Sequence, residues 1–311
     1  MVSEVKISVV IPCYNCSKYI AETLNSVLSQ TVHPHEIIAV DDGSTDSTAE
    51  IITSFGERVK LISQENKGRV GARKTGILAA TGNWVALLDA DDIWTADKIE
   101  TQMKCISSLS DDIVIVHSNF DVVGTHCCGD DRKYTFDIPN LFGLDFLFLH
   151  NAYATSSIVI RRDVLLTVLP FWNLGRYRAQ DYGLFLLVSV YGDSFKIDKT
   201  LSYYRVHESN EHNYLDFEIG VLKSRENLLD FIIKMGMGEM IKPEWKTIIG
   251  SNYFNIGWQY YSKKIYIEAR EYFLNAAKNR LKLRYILYFL FSSLPESLIT
   301  KIRLLFRSDS I

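Results

Sequence analysis

From the amino terminus, short apolar runs alternate with longer stretches in which apolar residues return every three or four positions. Apart from Lys6 and Ser8, residues 5–11 are β-branched and apolar and stop at Pro12, which predicts a buried strand. Over residues 17–30, Ile20, Leu24, Val27 and Leu28 share one helical face, and Ser17 is placed to cap that helix. The alternation continues with strands at 36–40, 59–62, 84–88 and 113–117, and helices at 46–55 and 69–80. Strand and helix in turn predict an α/β fold, a mainly parallel sheet with helices on both faces. Ligands of such sheets sit beyond the carboxyl ends of the strands, and three polar clusters fall there: residues 12–15, 41–46 and 89–92.

Beyond residue 118 the pattern changes. Residues 119–137 suggest a hairpin or an irregular excursion, 156–160 a strand, 184–191 a buried helix and 202–206 a short strand. From residue 215 the chain reads as helix throughout. There Tyr253, Gly257, Tyr260, Ala269, Phe273 and Ala276 match the packing positions of one tetratricopeptide-type helix pair. One such unit cannot bury its own face, so it reads as an appendage and not as a peptide-binding array. The expected organisation is an α/β domain over 1–214 and a C-terminal helical extension over 215–311.

Composition supports a folded chain: 47% of the 311 residues are hydrophobic and 23% charged. The net charge of −3 argues against nucleic acid as a partner. It also hides an asymmetry, because residues 263–307 hold ten Lys and Arg against three Asp and Glu. Residues 285–291 are apolar but far short of the ~18–20 that a spanning helix needs. Over 298–307, Leu298, Ile299, Ile302, Leu305 and Phe306 share an arc opposite Lys301, Arg303 and Arg307. That pattern suits peripheral contact with an anionic membrane through residues 285–307, or docking on the protein's own core. No secretory signal is apparent. The five cysteines, Cys13, Cys16 and the adjacent Cys127 and Cys128 among them, read as reduced thiols of a cytoplasmic protein.

The strongest chemical signal is Leu87-Leu88-Asp89-Ala90-Asp91-Asp92. Carboxylates beside an apolar run need a cation or hydrogen-bond donors, and Asp89 and Asp91, two apart, can face one ligand such as Mg²⁺ or Mn²⁺ with substrate phosphates. Asp92 reads as the cap of a helix starting near Thr95. In Asp41-Asp42-Gly43-Ser44-Thr45-Asp46, Ser44 or Asp46 is placed to cap the next helix. Asp41 and Asp42 precede the turn and suit a base-edge N–H, with Tyr14 offering a flat face to that base. The segment from Glu65 to Arg73 adds two glycines and several cations, without the Gly-Lys-Ser/Thr of a phosphate loop.

In order and spacing, Ser8-Val9-Val10-Ile11-Pro12-Cys13-Tyr14-Asn15, the Asp-Asp-Gly-Ser-Thr-Asp turn, Gly68…Ala72-Arg73…Gly76 and Leu-Asp-Ala-Asp-Asp resemble a family 2 inverting glycosyltransferase of the GT-A fold. The resemblance spans about residues 5–210. It implies a nucleotide-diphosphate-sugar donor, a UDP-sugar, bound by Pro12, Tyr14, Asn15, Asp42, Gly68, Arg73, Asp89, Ala90, Asp91 and Arg205. Within that set Tyr14 stacks on the base, Asp42 bonds to it, Arg73 supports the base pocket and Asp89 faces the ribose. Asp91 and His207 hold Mn²⁺ or Mg²⁺, and Asp181 is the catalytic base acting on a glycan or lipid-linked acceptor. Gln180 stands where the family usually has Glu, and Gly183 where Asp is common. A sugar-nucleotide nucleotidyltransferase fits less well, because its glycine-rich phosphate loop is missing. A catalytically inactive nucleotide-sugar-binding scaffold would not need Asp89, Asp91, Asp181 and His207.

Overall fold

The computed structural model describes residues 4–124, 138–173, 177–207 and 214–294. In chain order the first elements are β1 (Ile7–Cys13), α1 (Ile20–Leu28), β2 (Glu36–Asp41), α2 (Thr48–Thr53), β3 (Lys60–Ser63), α3 (Gly68–Ala79) and β4 (Trp84–Leu87). They are followed by β5 (Ile93–Trp94), α4 (Lys98–Ile106), β6 (Ile113–Val123), β7 (Leu141–Phe142), α5 (Leu144–Leu149), β8 (Val159–Arg161), α6 (Arg162–Val168), α7 (Gln180–Val188) and β9 (Asp193–Arg205). The helical end comprises α8 (Tyr214–Lys234), α9 (Pro243–Ser262), α10 (Tyr266–Asn279) and α11 (Leu283–Phe291). By their contacts the residues form two compact units, Met1–Arg176 with Gln180–Glu211, and Tyr177–Ala179 with His212–Ile311.

The first unit is built on one sheet in the order β3-β2-β1-β4-β8-β6-β9-β5, with β7 paired to β9. The first four strands are parallel, as the strand–helix alternation requires. The rest is mixed: β8 runs antiparallel to both β4 and β6, β6 and β9 are parallel, and β5 and β7 lie antiparallel on β9. Strand β1 reads as an apolar run, interrupted by the buried Ser8, because both its faces are covered. Ile7, Val9 and Ile11 join Ile20, Leu24 and Val27 of α1 in one core cluster. On the other face α3 comes so close that a Cβ on Gly76 would lie 2.3 Å from a methyl of Val10. Nearness of α3 to the sheet is thus set by a missing side chain.

Several elements differ from the sequence expectation. Strand β6 runs on to Val123 and β9 starts at Asp193, and they pair across both extensions. Three register shifts and half-exposed, polar outer halves erase the alternation that marks a strand. The strand expected at 156–160 begins only at Val159, after a single 3₁₀ turn over Thr155–Ser157. Ser17 is not a cap: α1 starts at Ile20, and the Ser17 N–H donates to Asp46. Residues 125–137 and 298–307, with the expectations placed on them, lie outside the described residues.

In the second unit, α9 and α10 are joined by three residues. Ala269, Phe273 and Ala276 are fully buried. A Cβ on Gly257 would meet the Phe273 ring at 3.0 Å, so this glycine lets the two helices approach.

Candidate active site

Strands β1 and β2 end in register, with Cys13 opposite Asp41, so Tyr14 and Asn15 emerge beside the Asp42 turn. Asn15 has φ 47°, a left-handed conformation that Asn tolerates. Its N–H donates to Ser44 Oγ at 3.0 Å, and its Oδ1 accepts the Thr45 N–H at 2.8 Å. Gly43, at φ 75°, leaves no room for a side chain: a Cβ there would sit 3.1 Å from Asn66 N. Asp42 is buried, and its Oδ1 accepts the Gln64 amide at 2.6 Å and the Lys67 N–H at 2.9 Å. Asp41 accepts the Ser44 N–H at 3.2 Å. Asp46 stands at the start of α2 and accepts from the Thr48 and Ser17 backbones. Burial pushes its pKa up, but the Thr48 and Ser17 hydrogen bonds outweigh that and hold it at about 2. The Tyr14 ring is 53% exposed, a flat apolar face beside this turn. Pro12 is paired within the sheet opposite Val40.

At the end of β4 the carboxylates of Asp89, Asp91 and Asp92 face different partners. Arg73, on α3 and fully buried, donates from Nη2 to Asp89 Oδ1 at 2.5 Å, while 28% of the Asp89 side chain stays exposed. Burial alone would lower the Arg73 pKa. The charge of Asp89, then of Asp181 and Asp91, raises it instead. Burial likewise raises Asp89, and the cations of Arg73 and Arg69 overcome it and lower its pKa. Arg73 is the buried counter-ion of this carboxylate. Its Nε is buried without a hydrogen-bond partner among the described residues. Asp91 goes the other way, raised by burial and by the Asp89 charge against a smaller pull from His207. His207 Nε2 lies 3.0 Å from Asp91 Oδ2.

Asp92 does not cap a helix. Helix α4 starts only at Lys98, and Asp92 is buried, accepting the Ser156 hydroxyl at 2.5 Å and the Arg205 N–H at 2.9 Å. Burial, with repulsion from Asp89 and Asp91, holds its pKa well above the usual carboxylate range. Its backbone carbonyl and that of Ala90 accept from Thr23, a buried hydroxyl on α1. Helix α1 and the turn before it also seize the end of β9. The Arg205 guanidinium donates to the Asp91 carbonyl at 2.7 Å and to Glu22 at 2.6 Å, and lies 5.2 Å over the Tyr19 ring. Tyr19 in turn stacks on the His207 imidazole, centroids 4.8 Å apart.

The element that sequence reasoning missed is the turn Thr155–Ser157. Thr155 Oγ1 donates to Asp181 Oδ2 at 2.6 Å, and the Tyr182 N–H donates to Oδ1 at 2.9 Å. The next residue, Ser156, accepts the Asp89 N–H at 3.1 Å, while its carbonyl accepts the Trp94 indole at 2.8 Å. The Ser157 carbonyl accepts from Lys98 Nζ at 3.0 Å and the Gln102 amide at 3.1 Å. Lys98 is fully buried, which lowers its pKa well below that of a free lysine. Consecutive residues of one turn thus touch Asp181 on one side and the Asp89–Asp92 segment on the other. Nothing in a Thr-Ser-Ser tripeptide announces this. Gly68, at φ 75°, opens α3 with free space around it. Cys13 and Cys16 are free and buried.

Among the described residues no group of three or more His, Cys, Asp and Glu side chains could hold a metal. Asp91 with His207 offers one oxygen and one nitrogen, and the raised Asp91 pKa marks a carboxylate short of positive charge. Such a pair suits Mn²⁺ or Mg²⁺ whose other ligands are phosphate oxygens.

The sequence profile of the family described as "Glycosyl transferase family 2" matches residues 8–166. A relative from Escherichia coli, the UDP-Glc:alpha-D-GlcNAc-diphosphoundecaprenol beta-1,3-glucosyltransferase WfgD, is 35% identical over 122 residues, 39% of this chain and 47% of its own. Among solved structures, S. aureus TarS 1–349 in complex with UDP-GlcNAc superposes with TM-score 0.60 at 18% identity, covering 92% of this chain and 79% of TarS. The mannosyltransferase PcManGT from Pyrobaculum calidifontis, in complex with GDP-Man and Mn²⁺, gives TM-score 0.54 at 17% identity over 94% and 80% of the two chains.

Proposed function

The chain belongs to glycosyl transferase family 2, and from that premise we propose that it moves a sugar with inversion from a UDP-sugar to a hydroxyl of a glycan or lipid-linked acceptor, with Asp181 as the base. One observation carries the reading: Thr155 and Ser156, adjacent in one turn, hydrogen-bond to Asp181 and to the Asp89–Asp92 segment respectively. A base and a donor-binding segment tied to one rigid turn are what a single displacement needs, since a misplacement of ~1 Å can cost about 100-fold in rate.

In this reading Tyr14 stacks on the uracil, and Asp42, both of whose donors reach Oδ1, accepts a base N–H at Oδ2. Pro12 and Asn15 shape the floor of that pocket, and Gly68 admits the donor close to the start of α3. Asp89, held by Arg73, accepts from the ribose, while the Ala90 backbone lines the path to the diphosphate. Asp91 and His207 hold Mn²⁺ or Mg²⁺, which when bound supplies positive charge against the departing diphosphate. Arg205, fixed between Glu22 and the Asp91 carbonyl, keeps His207 at that place. Asp181 takes the proton from the acceptor hydroxyl as its oxygen attacks the anomeric carbon from the face opposite the leaving UDP. Support for UDP comes from the donor of WfgD and the ligand of TarS, and for Mn²⁺ from PcManGT. WfgD also supports a lipid-linked acceptor, and with it a place in the cytoplasm at the inner face of the cell membrane.

The reading is tested with a panel of UDP- and GDP-sugars and Mn²⁺, measuring nucleoside-diphosphate release with and without a lipid-linked saccharide. Release of UDP from one donor, stimulated by acceptor and abolished by chelator, is the expected result. Pyrophosphate exchange instead of UDP release would point to the nucleotidyltransferase.

A further inference from the structure

Helix α11 is apolar around its circumference apart from Arg284, a composition proper to a helix covered on all sides. Among the described residues only one side of it is covered within its unit. Tyr285 is fully buried, and Tyr288 and Phe289 pack on the cluster around Tyr261, Ala269 and Phe273. Leu283, Leu287 and Leu290 are 74%, 40% and 52% exposed, and Leu281 just before the helix is 80% exposed. At about 100° per residue the three helix leucines fall within an arc of about 60°, opposite Tyr285. A contiguous apolar stripe of this kind marks a contact surface.

Charge decides what it contacts. Residues 272–295 carry four basic side chains, Lys278, Arg280, Lys282 and Arg284, and no Asp or Glu. Lys282 and Arg284 lie over the Tyr285 ring, at 5.7 and 5.2 Å, and flank the stripe; a two-fold contact through the leucines would bring these basic flanks of two copies together, and like charges oppose it. An anionic lipid surface meets the same cluster with opposite charge. The helix has nine residues, about 14 Å, and no described helix is long and apolar enough to cross a membrane. Its leucines can therefore enter a bilayer only with the axis lying along the surface. Trp258, 45% exposed and edge-on to Tyr288 at 5.2 Å, adds an aromatic of the kind that settles at headgroup level.

We propose that α11, with Leu281 and the basic residues 278–284, is an interfacial anchor that lays this chain on an anionic bilayer. The proposal is independent of the sugar chemistry, and its test does not read activity. The full chain is sedimented with phosphatidylcholine vesicles and with vesicles containing about 30% phosphatidylglycerol. Binding to the anionic vesicles at least about tenfold above the neutral ones is expected, weakening as salt shortens the reach of the charges. Leu283→Ser, Leu287→Ser and Leu290→Ser together should cut that binding at least about tenfold, with unchanged circular dichroism, because all three side chains face solvent. Lys278→Glu with Arg280→Glu, which leaves the leucines in place, should cut it by a similar factor. Undiminished binding in the leucine variant overturns the proposal. So does absent vesicle binding together with a dimer that the leucine variant dissolves, which would make the stripe a contact between two copies.

Discussion

After β2, the carboxylates of Asp41 and Asp42 are met by neutral donors: the Ser44 and Lys67 backbones and the Gln64 amide. After β4, Asp89 takes the buried guanidinium of Arg73, which lowers its pKa, while Asp91 meets His207 and Asp92 meets the Ser156 hydroxyl and the Arg205 N–H. Both turns are runs of aspartates at the end of an apolar strand. One is satisfied by the fold itself and leaves a rigid loop that can read a ligand's edge. The other is short of positive charge, with Asp91 pushed toward protonation by burial and the Asp89 charge, and Asp92 by burial and the charges of Asp89 and Asp91. An electrostatic deficit of that kind is relieved by added positive charge.

The sharpest way to break this contrast is to remove the cation bonded to Asp89. Arg73→Met leaves Asp89 without its counter-ion, which for a buried pair costs 3–5 kcal/mol; with Asp89 28% exposed, about 3 kcal/mol is expected in urea unfolding. A loss below about 1 kcal/mol would mean that the second turn does not depend on Arg73. Asp91→Asn should abolish at least about tenfold of Mn²⁺-dependent gain in UDP affinity, measured by calorimetry, while affinity without metal stays near wild type. Thr155→Val addresses the turn between the two sides: kcat should fall about 10- to 100-fold at unchanged donor KM, and Thr155→Ser should recover most of it. A rise in donor KM would mean instead that the whole turn had collapsed onto Asp89. The smallest effect belongs to the neutral-donor side. Asp46→Ala should cost about 0.5–1 kcal/mol at pH 7, Asp46 being an exposed group. Its folded pKa of about 2 lies below the ordinary 3.8, so the gap to wild type is full above 3.8 and closes as pH falls toward 2.

The first half of the sheet was legible because β1, β2 and β4 are buried on both faces and write apolar runs, interrupted in β1 by Ser8, with their polar ends in plain view. The paired strands β6 and β9 were read only in part, since their outer halves are half-exposed and the register slips three times. Helix α4, expected from near Thr95, starts at Lys98, and two of its core positions are Lys98 and Gln102, fully buried polar residues that break the apolar period. Their role emerges only in three dimensions, where both hold the Ser157 carbonyl. Asp92 was misjudged for a related reason. An acidic residue ahead of a helix signals a cap, yet its partners Ser156 and Arg205 lie 64 and 113 residues away. Thr155 had no signal at all, because a hydroxyl that orients a carboxylate belongs to no motif.

The account rests on Asp181 as the group that takes the acceptor's proton beside a donor site built from other residues. The direct measurement is sugar transfer by Asp181→Asn, with UDP affinity taken on the same protein. Transfer should fall about 10²- to 10⁴-fold while UDP binds within about threefold of wild type. Transfer at the wild-type rate would contradict it.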